Sequence, residues 1–196
     1  MTWKLTQNKD WQSLEKQFSW VADMKNVVQH KTHHAEGNVA IHTQMVLDEL
    51  TKMPRYETLS EQEQEILWAA ALMHDIEKRS TSQDEGNGNI SANGHARRGE
   101  YTARNILFKD IPTPFDIREK VVSLVRFHGL PLWLMEKLEP AKKIHAVSLR
   151  ANTRQLKMLA EADARGRICE DGGALIESLD LFEMFCKDEG CWDLSL

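Results

Sequence analysis

Ile66-Leu67-Trp68-Ala69-Ala70-Ala71-Leu72-Met73 is an unbroken apolar run that ends on two chemistry-bearing residues, His74-Asp75. Ser60 and Glu63 precede it at the spacing of a capping box, in which each side chain serves the other's backbone N–H and starts a helix. The run predicts a buried central helix. A carboxylate at the end of such a helix is costly out of water unless it is paired or bound to a cation. Neighbours on a helix point about 100° apart, so His74 and Asp75 can reach a common ion at the helix edge.

Outward from this run the pattern stays helical. Trp11, Leu14, Phe18 and Val21 fall three or four residues apart, as do His42, Met45, Val46, Glu49 and Leu50, each set lining one helix face. Further helices are expected at 95–108, 114–128, 153–168 and 173–188, with breaks at Pro112, Pro114, Gly129, Pro131, Pro140 and Gly172-Gly173. Nothing alternates as a sheet would, and Val121-Val122-Ser123-Leu124-Val125 reads as helix in its surroundings. The expected class is all-α. Gly, Asn and Ser crowd residues 80–94, which predicts a long loop without regular structure, either a cover over a site or a surface excursion.

The 196 residues suit one domain, 1–196, with a core at about 30–168. Apolar residues make up 41% and charged residues 28%, which excludes a disordered or low-complexity chain. The net charge of −5 excludes a global positive field for duplex DNA. No run approaches the roughly 18 apolar residues of a membrane span, and the start Met1–Gln7 lacks a signal-peptide core, so the expected location is the cytoplasm. Cys169, Cys186 and Cys191 are odd in number and read as reduced thiols.

Among the eight histidines, His42, His74, His95 and His128 lie beside apolar helix faces, and Asp163 shares a helix side with Leu156, Leu159 and Ala160. Singly, each has an ordinary alternative: a hydrogen-bonded core histidine, or an aspartate paired with Arg165 or Arg167. Four imidazoles and two carboxylates on separate helices are better explained together, by one ion site.

The ordered series His42, His74-Asp75, His95, His128 and Asp163 resembles the HD-domain phosphohydrolases. The likeness runs over about residues 30–168. It is nearest to the HD module of bacterial tRNA nucleotidyltransferases and to the HD half of HD-polynucleotide kinase RNA-repair enzymes. His34-Ala35-Glu36 through His42-Thr43 is similar to their opening motif, and Ala70-Ala71-Leu72-Met73-His74-Asp75-Ile76-Glu77-Lys78 to the HD signature. Gly94-His95-Ala96-Arg97-Arg98-Gly99, Arg126-Phe127-His128-Gly129 and Ala162-Asp163-Ala164-Arg165-Gly166-Arg167 match the later elements. Glu77 departs from the pattern, since the family commonly has Gly there.

The resemblance implies a helical bundle with a metal site between helices. It assigns His42, His74, Asp75 and Asp163 to one metal and His95 and His128 to a second, with Asp75 bridging. Mixed imidazole and carboxylate ligands suit Mn, Fe, Co, Ni or Zn. Asp75 and Lys78 are the expected catalytic residues, Lys78 placing an ammonium against a phosphoryl oxygen, although a lysine also suits a helix C-terminus. His34, Glu36, Arg97 and Arg98 are the expected substrate contacts, with His34 and Glu36 alternatively orienting a ligand.

The implied reaction is metal-dependent hydrolysis of nucleotide or RNA-end phosphates, such as 2′,3′-cyclic, 2′- or 3′-phosphates. Its partner would be a phosphorylated nucleotide or an RNA 3′ end. No Gly-x-x-x-x-Gly-Lys-Ser/Thr loop is present, so a hydrolase module without the kinase half is expected. Arg97, Arg98, Arg150, Arg154, Lys157, Arg165 and Arg167 form a basic set that would favour RNA or else decorate ordinary helix surfaces. The alternatives are a small-nucleotide nucleotidase or phosphodiesterase, and a noncatalytic module that binds a nucleotide or partner.

Overall fold

The computed structural model describes residues 2–194. Its elements in chain order are α1 (Trp11–Gln17), α2 (Ser19–Asp23), α3 (Val39–Lys52), α4 (Pro54–Glu57), α5 (Glu61–Met73), α6 (Lys78–Thr81), β1 (Gln83–Asp84), β2 (Ile90–Ser91), α7 (His95–Lys109), α8 (Phe115–Phe127), α9 (Leu130–Trp133), α10 (Pro140–Ser148), α11 (Thr153–Arg165) and α12 (Gly172–Asp188). The chain is all-α apart from the two-residue strands, and none of the helices among the described residues is long and apolar enough to cross a membrane.

The central helix is α5. Glu63 N–H donates to Ser60 Oγ at 3.3 Å and Ser60 N–H donates to Glu63 Oε2 at 3.0 Å, completing the capping box. From Glu65 to Met73 every side chain is buried. The helices α3, α8 and α11 pack around it, and α7 covers α8. Asn38 caps α3 and Asn152 caps α11, each accepting a backbone N–H at 3.0 Å, so three helices that approach the core start at fixed points.

One close approach fixes α11 against α3. A Cβ added at Gly166 would sit 2.8 Å from the backbone nitrogen of Val46 and 3.0 Å from its Cα. Glycine is required there because backbone rather than a flexible side chain fills the space. On the other face of α11, buried Lys157 donates to Glu183 of α12 at 2.6 Å and to Asp180 at 3.1 Å. Burial opposes the ionisation of Glu183, but hydrogen bonds and charge from Lys157 and Lys187 outweigh it and bring its pKa down to about 2.

The structure corrects four expectations. The helix expected through Trp11 and Val21 breaks at Phe18, whose backbone is extended, and continues as α2. Residues 80–94 are not devoid of regular structure: α6 ends there and β1 pairs antiparallel with β2. Gly86, Asn87 and Gly88, all at positive φ, reverse the chain between them, so the residues that argued against structure make the turn. Pro131 and Pro140 do stand at boundaries, but each lies in the first turn of a helix that was not expected, α9 and α10, in keeping with the fit of proline to the start of a helix. The helix expected at 153–168 stops at Arg165, where Gly166 caps it. The three cysteines are free thiols, as expected.

Two outcomes test this packing. Gly166→Ala should destabilise the fold by about 1–3 kcal/mol through overpacking, read by urea unfolding. Glu183 ionises more readily in the folded than in the unfolded chain, so its contribution is present above pH 4.5 and lost as pH falls through about 2. Glu183→Gln should flatten the acid limb of the stability curve over that interval.

Candidate metal centre

Five helix ends converge at one place. His42 lies in the first turn of α3, His74 caps α5 with Asp75 next to it, His95 opens α7, His128 caps α8, and Asp163 lies in the last turn of α11. Helix ends carry backbone carbonyls without helical partners. His74 Nδ1 donates to Ala71 O at 2.7 Å and His128 Nδ1 to Val125 O at 2.8 Å, each in the last turn of its helix. His95 Nδ1 donates to Ala92 O at 2.7 Å, just before α7. His42 Nδ1 faces Gly166 O at 3.1 Å and Glu36 Oε1 at 3.0 Å.

All of these partners only accept. Each Nδ1 therefore bears a hydrogen, and each ring turns its Nε2 inward. The inward atoms nearly touch: His42 and His74 Nε2 are 3.4 Å apart, and His95 and His128 Nε2 are 3.2 Å apart. Asp75 lies between the two pairs. Its Oδ2 is 3.2 Å from His74 Nε2 and 3.7 Å from His42 Nε2, while its Oδ1 is 3.3 Å from His95 Nε2 and 3.9 Å from His128 Nε2. Oδ1 is buried and has no hydrogen-bond partner.

The donors fit divalent cations. Facing lone pairs repel, and an orphaned carboxylate oxygen is costly, unless positive charge lies between them. The groups His42–His74–Asp75 and Asp75–His95–His128 each offer three ligand atoms within 4.8 Å of one another. Burial, reinforced by the charges of His74 and His95, pushes His128 down to about 3. Burial also lowers His95. Both rings are thus neutral and their lone pairs free. For Asp75, burial opposes ionisation, but the charges of His74 and Lys78 prevail and hold it well below the usual carboxylate range.

Asp163 is drawn in two directions. Its Oδ1 lies 3.1 Å from His42 Nε2, while Arg167 clamps the carboxylate at 3.0 and 2.6 Å. The arginine pairing weighed from sequence and the approach to the histidine cluster are therefore both present. Burial disfavours a charged His42, but Asp163 and Glu36 outweigh it and raise its pKa. A cation bound here would displace the proton that His42 shares with Asp163.

The expected substrate and catalytic residues separate into two groups. Lys78 is buried and donates to Asp75 Oδ2 at 2.8 Å and Gln29 Oε1 at 2.5 Å, with His34 Nε2 at 3.5 Å. Glu36 Oε1 receives His34 Nδ1 at 2.8 Å as well as His42 Nδ1, and its Oε2 accepts Ile168 N–H at 3.0 Å. Its bonds thus orient His42 and His34. Burial takes His34 down to about 4, which leaves its ring neutral. Arg97 and Arg98 lie outside the cluster. Arg97 is exposed, and Arg98 donates to Ser80 O and Oγ at 3.3 Å.

The basic set does not form a free cationic face. Arg150 binds Glu100, Arg154 binds Asp193, Lys157 binds Glu183, Arg165 binds Glu161 and Arg167 binds Asp163. Glu77, at the position where glycine was the expectation, accepts Thr102 Oγ1 at 2.9 Å and ties α6 to α7. Gln29 is the residue that sequence reasoning missed. It lies outside any helix, in a segment whose Val28 bridges Asn38, and has no periodic or motif signal.

The HD domain family profile matches residues 38–166. The chain is also 28% identical over 165 residues to the "Multifunctional CCA protein" of Methylococcus capsulatus, a match that covers 81% of this chain and 36% of that protein.

Removing the orienting carboxylate should cost affinity without removing a ligand. Glu36→Ala is expected to weaken Mn²⁺ binding by about 10- to 100-fold in a calorimetric titration, with unchanged stoichiometry. Wild-type affinity in this variant would contradict the orienting role.

Proposed function

The chain belongs to the HD-domain family, a superfamily chiefly of metal-dependent phosphohydrolases, and from that membership we propose that it hydrolyses nucleotide or RNA-end phosphates. The 2′,3′-cyclic, 2′- and 3′-phosphates are the leading substrates. The observation that carries this reading is the buried Asp75 carboxylate, one oxygen turned to His42 and His74 and the other to His95 and His128.

In this reading His42, His74, Asp75 and Asp163 would hold one divalent cation, and His95 and His128, together with Asp75, would hold another. Mn, Fe, Co, Ni and Zn suit the donors. When bound, such ions polarise a phosphoryl group and make water a nucleophile near neutral pH. The chain's own residues supply the rest. Lys78, anchored 2.8 Å from Asp75, sets a fixed positive charge beside the reacting phosphate and stabilises charge developing on its oxygens. Neutral His34 accepts from the lysine and Glu36 holds His34 in place. Gln29 holds the ammonium from the other side. Arg167 keeps Asp163 ionised and oriented.

A second reading, a nucleotidase or phosphodiesterase for a small nucleotide, draws support from the ion pairing of Arg150, Arg154, Lys157, Arg165 and Arg167. Residues already paired within the protein offer less to a long RNA backbone.

Incubation with a short RNA ending in a 2′,3′-cyclic phosphate, with Mn, Ni or Co added and Asp75→Ala as control, separates the readings. Opening or dephosphorylation of the end that requires metal and disappears in the variant is the expected outcome. RNA left intact by both proteins, beside turnover of free nucleotides, would replace the first reading with the second.

A further inference from the structure

Next to the histidine cluster, on the Lys78 side, lies a pocket of about 200 Å³. Its walls come from the segment before α3 and from the hairpin: Val28 and His30 on one side, Ile90 and Ala92 on the other, with Gln29 and Lys78 also lining it. The walls are held together. Gln29 N–H donates to Gly37 O and Val39 N–H donates to Val27 O, fixing the first segment against the start of α3. The stem of Lys31 lies against Gly88 at the hairpin turn, so close that a Cβ there would fall 2.9 Å from Lys31 Cδ.

Gln29 is 3% exposed. Lys78 has only donors, so the atom facing it at 2.5 Å must be the amide oxygen. The amide nitrogen is thereby turned away, and it is buried without a hydrogen-bond partner. A buried N–H₂ left unsatisfied is unfavourable. A ligand that completes it must offer an acceptor at its edge and apolar faces for Val28 and Ile90. A hydrocarbon tail lacks the acceptor, and a sugar or bare phosphate lacks the faces. A flat heterocycle has both.

We propose that this pocket receives the nucleobase of the substrate, with the Gln29 amide nitrogen donating to a ring nitrogen or carbonyl oxygen on the base edge. The inference rests on the phosphohydrolase reading above and deepens it. Lys78 joins the two halves, since the same ammonium bonds both Gln29 in the pocket and Asp75 in the cluster. A base in the pocket and its phosphate at the cluster lie on either side of one lysine, and the substrate class becomes nucleoside phosphates as against phosphate esters in general.

The test compares dissociation constants for cytidine 3′-phosphorothioate and base-free glycerol 2-phosphorothioate, with and without Mn²⁺, sulfur being used to slow hydrolysis. The wild type should bind the cytidine compound about tenfold more tightly, the worth of a satisfied buried hydrogen bond with apolar contact. Gln29→Glu keeps an acceptor for Lys78 but loses the donor, and Ile90→Asp spoils the apolar wall at a half-buried position of the hairpin. Each should abolish the preference. An effect transmitted through Lys78 alone would weaken both compounds equally and leave the ratio unchanged, which would overturn the proposal. So would equal wild-type affinities, or no binding of either compound. A protein that opens RNA ends yet shows no base preference refutes the pocket alone. One that prefers the cytidine compound but hydrolyses no phosphate refutes the phosphohydrolase reading alone.

Discussion

A buried carboxylate placed among four imidazole nitrogens is the arrangement on which the site depends. Backbone carbonyls at helix ends, with Glu36 assisting at His42, hold the Nδ1 hydrogens outward. The Nε2 atoms then meet in two close pairs, one at each oxygen of Asp75. In water such groups would be hydrated. In the interior their mutual repulsion is relieved by a cation or a proton, and the bundle is built so that several helices end where that charge is needed. The capped starts of α3, α5 and α11 and the contact of Gly166 with Val46 are what keep those ends in register.

Much of this was legible in the sequence, for physical reasons that differ from residue to residue. The run from Ile66 to Met73 reads as a buried helix because its capping box and apolar length leave no competing structure, and His74-Asp75 at its end signals a site because polar groups there need partners. The lone-pair geometry was not legible. It requires knowing which carbonyl each Nδ1 meets, and for His42 that carbonyl, Gly166 O, lies 124 residues away. Phe18 and Pro140 show the limits of local pattern. Helical spacing continues through Phe18 although its backbone is extended, and a proline that can break a helix can also begin one.

The surroundings of the centre were harder to read. A list of basic residues says nothing of their partners, and five of the seven considered are bound in ion pairs on the protein itself. Gln29 carries no motif. Its importance follows from a tertiary accident of chemistry: a lysine that can only donate takes its oxygen and leaves its nitrogen unpaired. The hairpin of residues 83–91 likewise has a place that no local pattern showed, with Ile90 in the wall of a pocket beside Lys78.

The proposal at the centre of this account is that the two histidine pairs would each hold a metal ion, with Asp75 shared between them. Anomalous diffraction from crystals grown with Mn²⁺ tests it most directly. The account predicts two peaks about 3.5–4 Å apart, one between His42 and His74 and one between His95 and His128, with a different Asp75 oxygen toward each. A single peak, or manganese bound away from Asp75, would contradict it.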